Sequence, residues 1–150
     1  MTLDLLQPGH PLWEKTLHFA ECCSWRAGAE LAARMQAHAF QEWERVIAAS
    51  DHGEIIGYCT LTAKDSLADC YDFTPLIGFV FVGEPYRGGR ISEQMIRCAM
   101  QYAGEIGYQA VYIMSSETGL YEKYGFTKIG DFETVYGTTE QLFRKNMSKQ

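Results

Sequence analysis

A pair of glycines between two arginines, Arg87-Gly88-Gly89-Arg90, combines residue types that can bind an anion. The pair follows a continuous apolar run, Leu76 to Val82, which is typical of a buried strand. Helical spacing begins just after Arg90, so the free N–H groups of a helix start would face the same loop. Glycines let an anion approach the backbone, and guanidinium groups bind phosphate. The pattern predicts a pyrophosphate cradle; a glycine-rich turn with two solvated arginines is the alternative.

Two other phosphate-binding loops are excluded by the spacing. The chain contains no G-x-G-x-x-G, so the dinucleotide-binding fingerprint is absent. Gly83 and Gly88 have the separation of a P-loop, but Gly89-Arg90 stands where that motif has Lys and Ser or Thr. The lysine for the phosphates and the hydroxyl for Mg²⁺ are therefore both missing.

The loop resembles the acetyl-CoA loop of the GNAT superfamily, whose pattern is Gln/Arg-x-x-Gly-x-Gly/Ala. Arg87 matches the first position, Arg90 stands where the family usually has Gly, and Ser92 where it has Gly or Ala. A second segment, Gly119 to Phe126, resembles the family's LYEKLGF segment and likewise follows a predicted buried strand. The loop, the strand and this segment occur in family order, and the resemblance covers roughly residues 43–146.

The resemblance implies an α/β protein with the GNAT fold, a mixed central sheet flanked by helices, as a single domain over residues 1–150. It implies an N-acetyltransferase that moves an acetyl group from acetyl-CoA to an amine by direct attack on the thioester. Pantetheine would lie beside the strand ending at Val82, whose N–H would polarise the acetyl carbonyl. The cofactor-binding residues that follow from this resemblance are Phe81, Val82, Arg87, Gly88, Gly89, Arg90, Ile91 and Ser92.

Tyr121 is the residue that the resemblance marks as the general acid. A phenol has a pKa of about 10 and a thiol of about 8.5, so proton transfer from a tyrosine to the departing thiolate is uphill by only about 1.5 pK units. Tyr124, three residues on, is interpreted as packing. The sequence does not identify a general base. Asp72, Glu84 and Glu117 lie near the implied site but are typical solvated loop carboxylates.

The elements that must position these residues can be predicted from periodicity. Strands are indicated at 3–6, 43–49, 54–61, 76–82, 110–114, 126–135 and 141–146, with a hairpin turn at 51–53. Helices are indicated from residue 12, over 29–35 and over 119–124. A further helix carries an apolar stripe of Ile91, Met95, Ala99, Tyr102 and Ile106. The strand–helix–strand order in the middle predicts one crossover.

Composition narrows the class of function. The net charge of −6 argues against general nucleic-acid binding and suits a cationic amine substrate. The start of the chain lacks a signal peptide and no apolar stretch approaches a membrane span, so we expect a cytoplasmic protein without membrane contact. The number of cysteines is odd: Cys22 and Cys23 are adjacent, and the other three are scattered. The pattern predicts free, mostly buried thiols, with Cys70 and Cys98 unreactive. The histidines show no metal-ligand spacing, so no metal is expected.

The acceptor is the least specified part of this prediction. A small-molecule amine ranks first and a peptide or protein amine second, with Trp13, Trp25 and Tyr71 as candidate walls of the acceptor pocket. A non-catalytic acyl-CoA-binding sensor or partner-binding module stays as an alternative, since Arg90 and Ser92 depart from the pattern. A nucleotide-binding protein that uses the loop for another anion is a further alternative. The oligomeric state is open, with a homodimer among the assemblies considered.

Overall fold

Seven segments form strands in the computed structural model, which describes residues 1–147. The strands are β1 (Thr2–Leu6), β2 (Arg45–Asp51), β3 (Glu54–Thr62), β4 (Leu76–Val82), β5 (Ala110–Ser115), β6 (Thr127–Glu133) and β7 (Thr139–Asn146). The helices within the same residues are α1 (Trp13–Cys22), α2 (Ala27–Gln36), α3 (Ile91–Glu105) and α4 (Leu120–Lys123). A single 3-10 turn, Glu84–Tyr86, follows β4.

The strands form one mixed sheet in the order β1-β2-β3-β4-β5-β7-β6. β4 and β5 are parallel, whereas β1 with β2, β5 with β7, and β6 with β7 are antiparallel. A parallel pair requires a crossover connection, and α3 supplies it. The predicted α/β class with a mixed sheet, flanking helices and one central crossover is confirmed.

The chain divides into two compact units. The first unit comprises Met1–Thr60 and Phe79–Ala99, and the second comprises Leu61–Gly78 and the chain from Met100 onward. Residues 148–150 lie outside the described part of the chain. A single domain over residues 1–150 therefore stays a prediction.

Apolar side chains from both helices and the sheet form the core of the first unit. Its fully buried members include Leu6, Leu17, Leu31, Met35, Val46 and Tyr58. Gly28 allows α1 and α2 to pack closely, because a Cβ there would overlap the Ala20 carbonyl oxygen and come within 2.6 Å of Cys23 Sγ. Trp13 also belongs to this core, and its role as a wall of the acceptor pocket stays a prediction.

The second unit has its own apolar cluster on one face of its strands. Buried Leu67, Leu76, Met114 and Leu142 form the centre of the cluster. Tyr71 packs edge-on against Phe132, with ring centroids 5.1 Å apart. The loop that carries Tyr71 is thus folded against the sheet by aromatic contacts.

Two details of the predicted elements and thiols are wrong. Ile106 does not continue the buried stripe of α3: the helix ends at Glu105, and Ile106 is 40% exposed. The thiols are not mostly buried, since Cys70 is exposed and Cys98 is half-buried. Cys59 is fully buried, and this burial, with a smaller contribution from Cys98, raises the pKa of its thiol above the usual range.

Candidate functional site

The middle of β4 carries a backbone irregularity at Phe79. Its φ of 50° lies in the left-handed region, which is a genuine outlier for a bulky residue within a strand. Phe79 and Val80 are both half-buried, so the regular alternation of faces is broken there. Strained backbone of this kind is found most often at functional sites. Phe79 comes shortly before the two β4 residues that the family resemblance assigns to the cofactor, Phe81 and Val82.

Aromatic rings hold this part of β4 in place. The Trp25 ring stacks on Phe81 with centroids 5.8 Å apart and planes within 2°. Trp25 also meets Phe79 edge-on at 6.2 Å, and Tyr58 stacks on Phe81 at 5.5 Å. The Arg34 guanidinium lies 5.3 Å from the Phe79 ring centroid. These contacts on both Phe79 and Phe81 oppose relaxation of the strained backbone.

Tyr58 is fully buried beneath these rings and meets a thiol. Its hydroxyl lies 3.5 Å from Cys23 Sγ, in the turn between α1 and α2. Burial first, and the interaction with Cys23 second, raise the pKa of the Tyr58 phenol well above its usual range. The phenol therefore remains a neutral hydrogen-bonding group at physiological pH.

Gly57 permits the close approach of β3 to the end of β4. A Cβ at this position would lie 2.8 Å from the Phe81 carbonyl oxygen and 3.4 Å from the Val82 Cα. One residue back, the Ile56 carbonyl accepts a 2.8 Å hydrogen bond from the Gly83 N–H. Sequence reasoning missed Gly57; its only signal was a glycine inside an otherwise β-branched and aromatic strand.

The loop after β4 exposes the two central glycines. Gly88 has a φ of 93°, and no atom lies within 4 Å of where its Cβ would be. Gly89 is nearly as open, with the Tyr86 carbonyl oxygen 4.0 Å from the same point. The first turn of α3 follows at once with Ile91 and Ser92. The two glycines therefore leave open space beside the loop backbone, where an anion could approach.

Arg87 connects this loop to the strand. Its Nε donates a 2.8 Å hydrogen bond to the Val82 carbonyl oxygen. Its guanidinium carbon lies 5.4 Å from the Phe81 ring centroid, a cation–π arrangement. The structure thus brings three of the predicted cofactor residues, Phe81, Val82 and Arg87, into direct contact.

Arg90 adopts the left-handed conformation that the family pattern reserves for glycine. Its φ is 59°, and its guanidinium pairs with Glu93 through contacts of 2.8 and 2.9 Å. Glu93 is also 3.6 Å from Arg97. The Arg90 side chain, which departs from the family pattern, is therefore held in an ion pair with a residue of α3. The three-residue spacing of Arg90 and Glu93 in the sequence is typical of an ion pair along a helix.

Tyr121 lies in α4, in the second unit, whereas the loop belongs to the first. It is 5% exposed, and its ring centroid lies 5.7 Å from that of Phe143 and 6.3 Å from that of Tyr124. Its carbonyl accepts backbone hydrogen bonds from Tyr124 and Phe126, at 3.0 and 2.9 Å. Tyr124 is 7% exposed, in agreement with a packing role.

The three carboxylates considered as a general base, Asp72, Glu84 and Glu117, are all exposed. Sequence reasoning missed Glu140 on β7, where burial and then the nearby Asp65 raise the pKa of the carboxyl group above its usual value. Among residues 1–147, no three His, Cys, Asp or Glu side chains form a group that could hold a metal ion. None of the helices in this part of the chain combines the length and apolar character that crossing a bilayer requires.

Comparisons with known proteins assign the family. The family model described as "Acetyltransferase (GNAT) family" matches residues 10–126. A comparison with curated protein sequences finds no significant match. Among solved structures, an aminoglycoside 6'-N-acetyltransferase complexed with coenzyme A superposes with a TM-score of 0.72 at 15% identity, over 100% of this chain and 99% of that one. The aminoglycoside 6'-N-acetyltransferase from Enterococcus faecium gives the same TM-score, 0.72, at 15% identity, again over 100% of this chain and 99% of that one.

A third structure, a GNAT family acetyltransferase from Elizabethkingia anophelis with acetyl-CoA bound, gives a TM-score of 0.65 at 19% identity, with 97% of each chain covered. At these sequence identities, the solved structures are evidence for the fold alone. Their fold is similar to the mixed sheet described above. The family model spans well over half of the sequence. This chain therefore belongs to the GNAT acetyltransferase family and is an acetyltransferase.

Proposed function

We propose that this protein transfers the acetyl group of acetyl-CoA to the amine of a small molecule. The main support for this proposal is the conformation of the loop that follows β4. Its open, left-handed Gly88 and its Arg87 precede the start of α3, as an anion-binding loop requires. GNAT enzymes use acetyl-CoA as their acyl donor, and its pyrophosphate is the anion that such a loop would hold.

In this proposal the cofactor is bound mainly by backbone groups. The N–H groups of Gly88, Gly89 and Arg90 and those of Ile91 and Ser92 would receive the pyrophosphate, with Arg87 adding a guanidinium. Phe81 and Val82 would contact pantetheine, and the Val82 N–H would stabilise the negative charge that develops on the acetyl oxygen. The aromatic contacts on Phe79 and Phe81 would keep this N–H in position.

Tyr121 is proposed as the general acid. Attack of a neutral amine on the thioester gives a tetrahedral intermediate, and its collapse releases the CoA thiolate. The phenol gives its proton to that thiolate, so that CoA leaves as the thiol, and the phenolate then regains a proton from water. The amine loses its own proton to water, so the proposal includes no dedicated base.

A small-molecule amine is the acceptor that the observations favour. The net charge of −6 attracts a cation. The aminoglycoside 6'-N-acetyltransferases that resemble this fold are named for small-molecule acceptors. A peptide or protein amine is the second candidate. We further propose that the site is built by one domain over residues 1–150; a homodimer stays a prediction.

Two measurements test this function. Acetyl-CoA should raise the melting temperature by mass action, whereas ATP and NAD should not. A shift with ATP or NAD in place of acetyl-CoA would contradict the cofactor assignment. Release of free thiol from acetyl-CoA is then followed with a panel of amines. Turnover with any amine supports the enzyme, whereas tight acetyl-CoA binding without turnover across the panel favours the acyl-CoA-binding sensor.

Gly88 provides the sharpest variant for the cofactor loop. Gly88→Asp should abolish the acetyl-CoA shift, since a carboxylate would face the pyrophosphate, whereas Gly88→Ala should retain part of it. Both variants carry the strain of the left-handed φ. Gly53→Ala is the matched control, because Gly53 has a φ of 80° with nothing within 4 Å of its Cβ position. It should lose stability like Gly88→Ala but bind acetyl-CoA normally.

A further inference from the structure

One face of β7 contacts the segment that carries Tyr121. Gln141, Phe143 and Lys145 alternate along this strand in continuous register with β5, so their side chains lie on the same face of the sheet. The segment comprises residues 115–126 and includes α4. The β7 face and the segment both belong to the second compact unit. Their contacts are therefore made within one unit.

Gln141 contacts the chain ahead of α4. Its Nε2 donates hydrogen bonds to the carbonyl oxygens of Ser115 and Glu117, at 3.2 and 3.0 Å. The helix begins three residues after Glu117, at Leu120. Because one side-chain amide bonds both carbonyls, it restricts the position of the chain that leads into the helix.

Lys145 contacts the chain that follows α4. Its half-buried side chain donates a 2.7 Å hydrogen bond from Nζ to the Tyr124 carbonyl oxygen, and Nζ lies 5.9 Å from the Phe126 ring centroid. A Cβ at Gly125 would come within 3.1 Å of Nζ, so the glycine leaves room for the lysine. Lysine suits this position because its ammonium group forms charge-assisted hydrogen bonds with the last carbonyls of a helix.

The contacts at both ends of α4 meet at Tyr121. Its ring centroid lies 5.7 Å from that of Phe143, the middle residue of the β7 face, and 6.1 Å from that of Phe126. Its carbonyl oxygen accepts the N–H groups of Tyr124 and Phe126. The turn that Lys145 holds is thus bonded directly to the Tyr121 backbone.

We propose that Lys145 and Gln141 are positioning residues for Tyr121, because they fix the two ends of α4 and thereby the direction of the phenol. This inference rests on the proposed function, in which Tyr121 is the general acid. Neither residue takes part in the proton transfer, and neither is among the residues proposed to bind acetyl-CoA. Their loss should therefore lower kcat and leave acetyl-CoA binding nearly unchanged.

Lys145→Met tests this role, since it keeps most of the length of the side chain and removes the donor. We expect kcat to fall by roughly tenfold, because small displacements of a reacting group are costly, and the Kd of acetyl-CoA to change by less than about twofold. Lys145→Arg retains a cationic donor and should recover most of kcat. Lys128→Met is the matched control: Lys128 lies on β6 in a surface ion pair with Asp131, so its loss should leave kcat unchanged.

Gln141→Met provides an independent variant at the other end of α4. It removes the hydrogen bonds to Ser115 and Glu117 and should lower kcat in the same way, again without a change in acetyl-CoA binding. If Lys145→Met does not fold, Gln141→Met takes its place in the experiment below.

A double-mutant cycle distinguishes positioning from a general structural role. If Lys145 acts through the phenol, Lys145→Met should not lower kcat further in a protein that already carries Tyr121→Phe. An equal fall in kcat with and without Tyr121→Phe would overturn the positioning role, and so would an unchanged kcat in Lys145→Met. Full turnover in Tyr121→Phe would instead refute the acid itself and this inference with it, so the two failures are distinguishable.

Discussion

The indole ring of Trp25 lies parallel to the phenyl ring of Phe81, within 2° and 5.8 Å between centroids. Trp25 belongs to the turn between α1 and α2, whereas Phe81 is one of the two β4 residues assigned to pantetheine. Cys23 in the same turn contacts Tyr58, which also stacks on Phe81. The turn and the end of β4 are therefore coupled through shared aromatic contacts rather than through the backbone.

Trp25→Ala should weaken acetyl-CoA binding although Trp25 is far from the loop in sequence. Removal of the indole takes away a ring that packs on both Phe79 and Phe81, so the strained backbone at Phe79 can relax. For a half-buried ring we expect a loss of about 2 kcal/mol in unfolding free energy, below the cost of a fully buried one. Urea denaturation and calorimetric binding measure the two effects. Trp25→Phe should retain most of the stability and most of the acetyl-CoA affinity. If the Ala and Phe variants lost these equally, the stacking role would be contradicted.

Gly57→Ala should disturb β4 from the opposite side. The added methyl group would lie 2.8 Å from the Phe81 carbonyl oxygen, so strand β4 must move away from β3. We expect a loss of about 1–3 kcal/mol in stability, as is typical of overpacking, with weaker acetyl-CoA binding. Gly104→Ala is a suitable control, because a Cβ there meets only the flexible Met147 side chain, at 3.8 Å or more. A Gly57→Ala variant with unchanged affinity would show that the position of β4 does not limit binding.

The sequence predicts the strands well because their signals are local. β4 is found at Leu76–Val82 as predicted, since the continuous apolar run is followed by Gly83. The left-handed conformation of Phe79 has no such signal, because it is held by packing against side chains that are distant in sequence, Trp25 and Arg34. Ile106 was assigned to the buried stripe by periodicity alone, but α3 ends one residue earlier.

The surroundings of the residues expected to line the acceptor pocket likewise depend on neighbours that are distant in sequence. Trp13 and Trp25 are both aromatic residues near helix ends, yet one is a core residue and the other stacks on β4. Tyr71 packs on Phe132, a neighbour that only the fold reveals. The loop proposed to bind acetyl-CoA, by contrast, is contiguous in sequence, so its residues can be predicted without the fold.

Arg90→Gly should be tolerated. The glycine relieves a left-handed φ that costs an arginine about 1 kcal/mol. This gain offsets the lost ion pair, because the Arg90 side chain is 55% exposed and Glu93 keeps its contact with Arg97. Arg90→Ala is the matched comparison, because it removes the same ion pair but keeps the strain. In urea denaturation, we expect the unfolding free energy of Arg90→Gly to exceed that of Arg90→Ala by about 1 kcal/mol. Both variants should keep their affinity for acetyl-CoA. Loss of binding in both variants would instead make Arg90 a required phosphate ligand.

Glu140→Gln should stabilise the protein in a pH-dependent way. Burial and Asp65 raise the pKa of Glu140 in the folded state, so folding disfavours its ionised form. The stability that this group contributes is fully present below its unfolded pKa, about 4.3, and is lost as the pH rises through the folded value. The glutamine variant cannot ionise, so its advantage over wild type should be absent at low pH and grow towards neutrality. Urea titrations across this range, with the exposed Glu133→Gln as control, measure the difference; a pH-independent difference would contradict the shift.

Tyr121→Phe is the direct test of the proposed acid. The substitution keeps a ring that lies against Phe143 and Tyr124 and removes only the hydroxyl group, so folding should be retained. If the phenol protonates the CoA thiolate, acetyl-CoA binding should be nearly unchanged while kcat falls by about 10²–10⁴-fold. Binding is measured by calorimetry, and turnover is measured by thiol release with an amine that the panel identifies.

Tyr124→Phe is the matched control for this experiment, because Tyr124 is nearly as buried as Tyr121 and lies three residues away against the same ring. It should change kcat little, so a fall that is confined to Tyr121→Phe assigns the proton to that hydroxyl. The pH profile adds a readout that a structural role would not move: the fall in activity at high pH that reports ionisation of the acid should be absent from Tyr121→Phe. Full turnover in Tyr121→Phe would refute the role and leave protonation of the thiolate to water.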